Sequence, residues 1–436
     1  MTLPSRVEPI SSWENGFVVL VLLISTLAFM NLLGDPETQT MDPRRGMWFM
    51  QVFWACVYLV TLRLLVLHCR PFAQMLLRQW PLVLLLGLAL VSVIWSVEPA
   101  ITLRKATALT MSALFGVYLA LRYSLREQLR LLVWTCSIII VFSFVFSLLG
   151  IGTPVNGRDS GWFGVFVHRN ELGKNMVFST ILFAIFSRVY KEQRLQAWLG
   201  IVLSLSLLLL STSKGSIVYV TVLLCILPLV PRLRGKLAKA AGLMVFAGIS
   251  ATAILYSIIT HFEEFTAILD RDSTMTGRIE IWVGSAIMAL QRPWLGYGYG
   301  AFWQGTEGPS LGVWRFVNWE VPHAHNGLLN LWLDLGLVGV GLFLVGFLLC
   351  LYRAFRHLRA NTMPEAIWPF MFLVFLFISS LTESGMVDGN TMLWIVYAAV
   401  FTSLIPKTSK IAVPKRVSAR RRMPRLVTVK AGIPHA

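Results

Sequence analysis

Two imidazoles stand one residue apart in Pro322-His323-Ala324-His325-Asn326, directly ahead of an apolar run that begins at Leu328. A neutral histidine at such a boundary can take a proton from a hydroxyl, because its ordinary pKa lies near the working pH. The same placement suits a histidine that only caps the next helix. His-x-His spacing also admits a metal, although no nearby Cys, Asp or Glu completes a ligand set. Thr276-Gly277-Arg278 places a natural N-cap ahead of a predicted helix over 277–291 and a cation in its first turn, where it opposes the helix dipole. A phosphate would be well held there; a solvated surface arginine is the plainer alternative. Ser211-Thr212-Ser213-Lys214-Gly215-Ser216 sets one lysine among hydroxyls between two apolar runs, and Arg169 opens another run in His168-Arg169-Asn170-Glu171-Leu172-Gly173. Each of these cations could bind an anion or simply snorkel from a membrane boundary.

The elements that carry these residues follow from composition. Of 436 residues 56% are hydrophobic and only 14% charged, with mean hydropathy +0.69, a balance that no water-soluble domain of this length carries without large exposed apolar patches. Apolar runs begin near Phe17, Trp48, Leu82, Ala106, Leu131, Leu172, Ala197, Ile217, Ala240, Leu328, Ile367 and Met392. Each approaches the length that crosses a hydrocarbon core, which predicts an all-α polytopic membrane protein of roughly twelve transmembrane helices. The net charge of +17 does not point to nucleic acid, since the cations fall in alternate short connections and a terminal tail. Arg122, Arg126 and Arg130, then Arg188, Lys191 and Arg194, then Arg353, Arg356 and Arg359 mark cytoplasmic loops by the positive-inside rule. Residues 1–16 are then a cytoplasmic N-terminus, 17–406 the membrane domain and 407–436 a basic cytoplasmic tail lying near anionic headgroups without a core of its own. The first run lacks a small-residue cleavage site and reads as a retained helix. The cysteines show no paired spacing for zinc or disulfides.

By this topology Arg169, Lys214 and Arg278 all face outward, the side that positive-inside statistics leave poor in cations. Together they argue for an anionic ligand. The outward segment 261–326, about 65 residues long, exceeds a simple connector and reads as a cap loop holding a short helix. In that helix Ile281, Trp282, Ser285, Met288 and Ala289 form one stripe at helical spacing, expected to lie on the membrane surface. Trp294, Tyr297, Tyr299, Phe302, Trp303, Trp314 and Trp319 suit interface anchoring first and sugar stacking second. Asp334, inside the helix that follows His325, is an expensive membrane carboxylate, expected to pair with one of the arginines. Gly336, Gly339 and Gly341 are expected to let helices approach closely. Glu383, in a fourth, acidic outward segment, is a second carboxylate suited to orienting a cation. Asp270-Arg271-Asp272 looks like a metal-nucleotide motif but sits outside, where nucleotide sugars are absent. Gly296, Gly298 and Gly300 follow no strand. The chain shows no internal repeat or half-to-half correspondence, which weighs against a transporter.

In chain order, Trp95-Ser96-Val97-Glu98-Pro99 with Thr102-Leu103-Arg104, the run Gly164 to Gly173, Ser211 to Ser216, Thr276-Gly277-Arg278 with Trp282, Gly296-Tyr297-Gly298 and His323-Ala324-His325-Asn326 resemble the O-antigen ligase and polymerase family of membrane glycosyltransferases, especially exopolysaccharide polymerases of the ExoQ type. The resemblance runs from Trp95 to Asn390. It implies metal-independent, cofactor-free transfer of a glycan from undecaprenyl diphosphate to an acceptor hydroxyl at the periplasmic face of a bacterial inner membrane, with inversion at the sugar. It further implies that Arg278, Lys214 and Arg169 hold the diphosphate and that His325, or else His323, acts as base with Arg278 beside it. Asn326, Asp334 and Glu383 would support them. Lys214 departs from the arginine of many ligases, keeping the charge and losing the bidentate fork, which leans toward the polymerase branch. Besides the lipid-linked oligosaccharide and membrane lipids, the partners implied are the flippase and the chain-length and export proteins of such a pathway. A ligase that moves glycan to a lipid core or protein, and a flippase for the same lipid, remain alternatives.

Overall fold

The computed structural model describes residues 10–30, 48–66, 78–153, 161–235, 276–305 and 308–405. Among them the regular elements are helical and no strand occurs, as lipid demands of an open chain that must satisfy its own backbone. In order these are α1 (Ser12–Ser25), α2 (Trp48–Val66), α3 (Trp80–Val91), α4 (Pro99–Arg122), α5 (Leu125–Leu148), α6 (Arg169–Val189), α7 (Arg194–Leu210), α8 (Lys214–Ile226), α9 (Thr276–Gln291), α10 (Ser310–Val317), α11 (Gly327–Ala360), α12 (Ile367–Ser380) and α13 (Met392–Ser403). Every expected apolar run meets a helix except that near Ala240, which lies outside the described residues, as do 261–275 and the tail 407–436. Against the roughly twelve spans expected from hydropathy, length and composition together support six among the described residues: Trp48–Val66, Leu125–Leu148, Arg169–Val189, Lys191–Leu210, Lys214–Arg232 and Gly327–Ala360. Ser12–Ser25, Trp80–Ile94, Pro364–Ser380 and Met392–Ser403 are apolar but shorter.

Local sequence explains where the helices start. Reciprocal capping boxes open α1, between Ser11 and Glu14, and α5, between Ser124 and Glu127, while proline in the first turn opens α3 and α4. Glu14 serves twice, since Arg122 at the end of α4 donates to it at 3.0 and 2.8 Å and the Tyr118 hydroxyl donates at 3.2 Å. α13 runs through the core, buried continuously from Trp394 to Thr402. It packs on α4 where Gly116 leaves no room for a Cβ beside Ala398 and the Ile395 carbonyl, the small-residue contact that membrane helices use.

α11 is broken. Gly336 has φ 67° and ψ −172° inside it, a region essentially reserved for glycine. The backbone groups freed at the break are satisfied by the loop before it. Tyr297 N and Gly298 N donate to the carbonyls of Leu333 and Asp334 at 2.9 and 3.0 Å, and Leu337 N and Val338 N donate to Pro293 and Trp294 at 2.8 and 3.2 Å. Gly336 is thus a splice point, with a methyl there running into the Trp294 carbonyl, and Gly341 has nothing within 4 Å. The expected close approach of helices at these glycines gives way to contact between helix and loop at Gly336. The same inserted loop explains Gly296, Gly298 and Gly300, whose positive φ and lack of side chains let it press on Asp334, Ser96 and Lys105 respectively.

The segment around α9 and α10 has a core of its own, built from Ile281, Ala289, Tyr297, Phe302, Val313, Val317, Val321, Ala324 and Leu333. The predicted stripe on α9 faces it, with Ile281, Ser285 and Ala289 buried. Tyr297, Tyr299 and Phe302 are buried too, so they serve neither as interface anchors nor as sugar platforms. Trp303 and Trp314 are partly buried, their indole N–H groups donating to Asn330 Oδ1 and the Val321 carbonyl at 2.8 and 2.7 Å. Of the predicted anchors, Trp294 and Trp319 are the exposed ones.

Candidate functional site

The expected residues fall into three groups. The first joins the start of α6 to the α7–α8 turn. His168 is the N-cap of α6, its Nδ1 accepting from Asn170 N at 3.2 Å. Ser213 Oγ donates to Asn170 Oδ1 at 3.0 Å, and Arg169 Nη1 donates to Thr212 Oγ1 at 3.4 Å. Gly173 makes this possible, because a Cβ there would lie 2.8 Å from Ser213 Cβ. Arg169 therefore braces the hydroxyl-rich turn, and Lys214 begins α8 with its side chain exposed.

The second group lies where α9, the run before α11 and the α12–α13 loop converge. Arg278, in the first turn of α9, is paired with Glu383 at 3.5 Å, and both side chains are largely buried at 16% and 17% exposure. Beside Glu383, Ser384 Oγ hydrogen-bonds His323 Nδ1 at 3.2 Å. His323 Nδ1 also accepts from His325 N at 3.3 Å, so that nitrogen is an acceptor and the proton of a neutral His323 ring resides on Nε2. The two imidazoles lie 4.1 Å apart, centroid to centroid. His325 takes φ 49°, uncommon for a residue with a Cβ, and its Nδ1 is buried without a hydrogen-bond partner. Asn326 caps α11 by accepting from Leu328 N and Leu329 N at 3.1 and 3.0 Å, while its Nδ2 donates to the Leu381 carbonyl at 3.3 Å. The expected N-cap, Thr276, is the first described residue of α9, and its side chain lies outside the described residues.

Electrostatics set the protonation states of this group. Burial pushes His323 down to about 3, helped by the positive potential of His325, Lys174, Arg278 and His168. Burial likewise lowers His325 to about 4, with Arg278 and His168 adding to it. Both rings are therefore neutral at physiological pH, as a general base must be before it acts. Burial raises Glu383, against the pull of Lys174 and Arg278. Lys174 was not singled out by sequence reasoning. It lies two turns into α6, paired with Glu171 at 3.0 Å and mostly buried, and its charge reaches both Glu383 and His323. A cation at the same helix end as Arg169 was the available signal. Ser384 had none, since its partner His323 is 61 residues away.

The third group gathers around Asp334, which is 5% exposed with Oδ1 unpartnered. The expected pairing with an arginine is not found among the described residues. Its nearby cation is Lys105, and a Gly300 backbone group hydrogen-bonds it. Lys105 Nζ in turn donates to the Gly300 carbonyl at 3.2 Å. The second turn of α4 brings a lysine to this spot because Val97 N and Trp95 Nε1 tie the preceding turn to the Tyr297 and Leu295 carbonyls, each at 3.0 Å. Among the described residues no three His, Cys, Asp or Glu side chains are grouped to hold a metal ion.

The arrangement puts neutral imidazoles, a guanidinium and its 3.5 Å carboxylate partner at one place. It can accept a proton from a hydroxyl and stabilise negative charge on a phosphate. Two comparisons relate the chain to known proteins. Residues 199–344 match the family described as O-antigen ligase, a stretch that contains Lys214, Arg278, His323, His325 and Asp334 but neither Arg169 nor Glu383. The chain is also similar to the exopolysaccharide production protein ExoQ of Rhizobium meliloti (strain 1021), with 24% identity over 311 residues, 68% of this chain and 70% of that protein.

Proposed function

We propose, from the premise that the chain stands with the O-antigen ligases and ExoQ-like proteins, that it polymerises undecaprenyl-diphosphate-linked exopolysaccharide repeats by metal-independent glycosyl transfer. In this reading about twelve helices cross a bacterial inner membrane, both termini are cytoplasmic, and residues 261–326 form a periplasmic cap over the site. The observation that carries the reading is the meeting of Arg278 with Glu383 and of Ser384 with the His323–His325 pair on one loop. The acceptor hydroxyl oxygen attacks the anomeric carbon of the donor sugar, and the bond from that carbon to the diphosphate oxygen breaks. The electron pair leaves on the diphosphate, where Arg278, Lys214 and Arg169 offset the developing charge. The hydroxyl proton passes to His325, since His323 Nδ1 is already occupied as an acceptor.

Losing one well-placed charge-stabilising donor costs about 3 to 4 kcal/mol of barrier, and losing a general base costs roughly 100-fold to 10,000-fold. Arg278→Ala and His325→Ala are each expected to abolish polymer while the protein stays in the membrane at its normal level. Near-normal polymer from either variant removes that residue from the site. The family description favours a second reading, transfer of a finished glycan to a lipid core or protein. The acceptor separates the two: cells that lose a polymerase keep single repeats on the lipid, whereas cells that lose a ligase keep long chains there.

A further inference from the structure

We infer that Glu383 is the resident counter-anion of the donor site: it holds the Arg278 guanidinium while the site is empty, an incoming diphosphate displaces it, and Ser384 carries that exchange to His323. This rests on the proposed role of Arg278 as a diphosphate ligand and adds a residue that competes with the substrate instead of binding it.

The geometry of the pair is that of a placeholder. An arginine committed to a carboxylate makes short, forked contacts of about 2.7 to 2.9 Å, yet Arg278 Nη2 meets one oxygen of Glu383 at 3.5 Å. A diphosphate offers more charge and more acceptor oxygens than one carboxylate, so it wins the fork once it arrives. Two cations supplied by different helices, Arg278 of α9 and Lys174 of α6, act electrostatically on Glu383. One carboxylate cannot match both. Burial works against its charged form while the two cations favour it, so the carboxylate is exchangeable for an anion that satisfies those cations better.

The loop that bears Glu383 touches the rest of the site at several points. Leu381 accepts from Asn326 Nδ2, and Ser384 bonds His323 Nδ1. Gly327 packs against the same loop, with a Cβ position 3.1 Å from Met386 Cβ. Gly385, next after Ser384, has nothing within 4 Å and leaves the chain room to turn. When Glu383 leaves Arg278, its neighbour Ser384 moves with it, and the Nδ1 contact that fixes His323 against the His325 backbone changes. Donor occupancy is thereby linked to the setting of the imidazole pair, so that the base is adjusted when there is a donor to attack.

A carboxylate that merely orients Arg278 predicts the opposite sign in a binding experiment. Purified full-length protein is titrated with inorganic pyrophosphate and, in parallel, with undecaprenyl diphosphate. Glu383→Gln keeps the shape and removes the charge, and it is expected to tighten binding of both probes by about tenfold or more, a modest share of what opposing like charges cost. Weaker or unchanged binding overturns the inference. The link to His323 is read by mass spectrometry as its rate of modification by diethyl pyrocarbonate. Pyrophosphate is expected to change that rate in the parent protein and not in Ser384→Ala; no change in the parent, or an equal change in both, overturns the link. Arg278→Ala separates the two levels of the argument. If it leaves binding of both probes intact, the donor reading itself fails; if it abolishes binding while Glu383→Gln weakens it, only the counter-anion fails.

Discussion

Acidification is the perturbation that most sharply separates His325 from an ordinary surface histidine. An imidazole with the usual pKa is about 90% protonated near pH 5.5 and has lost about nine-tenths of its basic form. His325, held at about 4 by burial and by Arg278 and His168, is only about 3% protonated there, and about 25% protonated even if it titrates one unit higher. The donor diphosphate, esterified on both ends, stays ionised throughout this range. The initial rate of chain extension at saturating donor should therefore hold nearly flat from neutral pH to near pH 5.5 and fall only as pH approaches about 4. Stability follows the same sign. His325 and His323 bind fewer protons folded than unfolded, so stability is full above the unfolded value of about 6.5 and is lost as pH falls, down to about 4 for His325 and about 3 for His323, each ring giving up at most about 1.4 kcal/mol for every pH step of one. The assay is a rate profile on purified protein, paired with histidine titration by NMR. A rate that halves near pH 6.5, with His325 titrating there, refutes the account of its environment.

Other expectations follow from particular contacts. Gly336→Ala puts a methyl into the Trp294 carbonyl at a backbone angle reserved for glycine and should cost about 2 to 6 kcal/mol, seen as a large drop in thermal stability. Gly341→Ala, with open space around it, should change little. Asn326→Ala removes the cap on Leu328 and Leu329 and the tie to Leu381, a loss of about 1 to 2 kcal/mol with a lower turnover, measured by thermal shift and rate. Arg122→Ala strands Glu14, whose side chain is only 8% exposed in its pair, and should destabilise by about 3 to 5 kcal/mol in thermal unfolding; Glu14→Gln made in the same chain should recover part of that.

The apolar runs and the stripe Ile281, Ser285, Ala289 were legible because their signals are local. The starts expected near Ala106 and Leu131 fall inside α4 and α5, which open earlier at Pro99 and Leu125, where a first-turn proline and the Ser124 and Glu127 box act and hydropathy does not weigh them. The pairing of Arg278 with a carboxylate was legible in kind, since the charge pattern assigns a cation and Glu383 to the same expected face. What escaped was long-range. The break at Gly336 looks in sequence like one more small residue in a membrane helix, and only the loop 293–298 folding onto it shows why the chain can open there. Asp334 met Lys105 instead of an arginine because the turn at Trp95–Val97 is tied to the same loop. Ser384 carries no sequence signal of its own, and the prominence of Lys214 in its turn did not translate into burial, since its side chain is exposed.

The central claim is that this site extends a glycan carried on a lipid diphosphate, with His325 as base and no metal. The direct test is the length distribution of lipid-linked glycan formed by purified protein from a synthetic undecaprenyl-diphosphate repeat, without nucleotide and with chelator, beside His325→Ala. A ladder of lengthened chains from the parent and single repeats from the variant is the predicted result. Single repeats from both, or equal ladders from both, would contradict it.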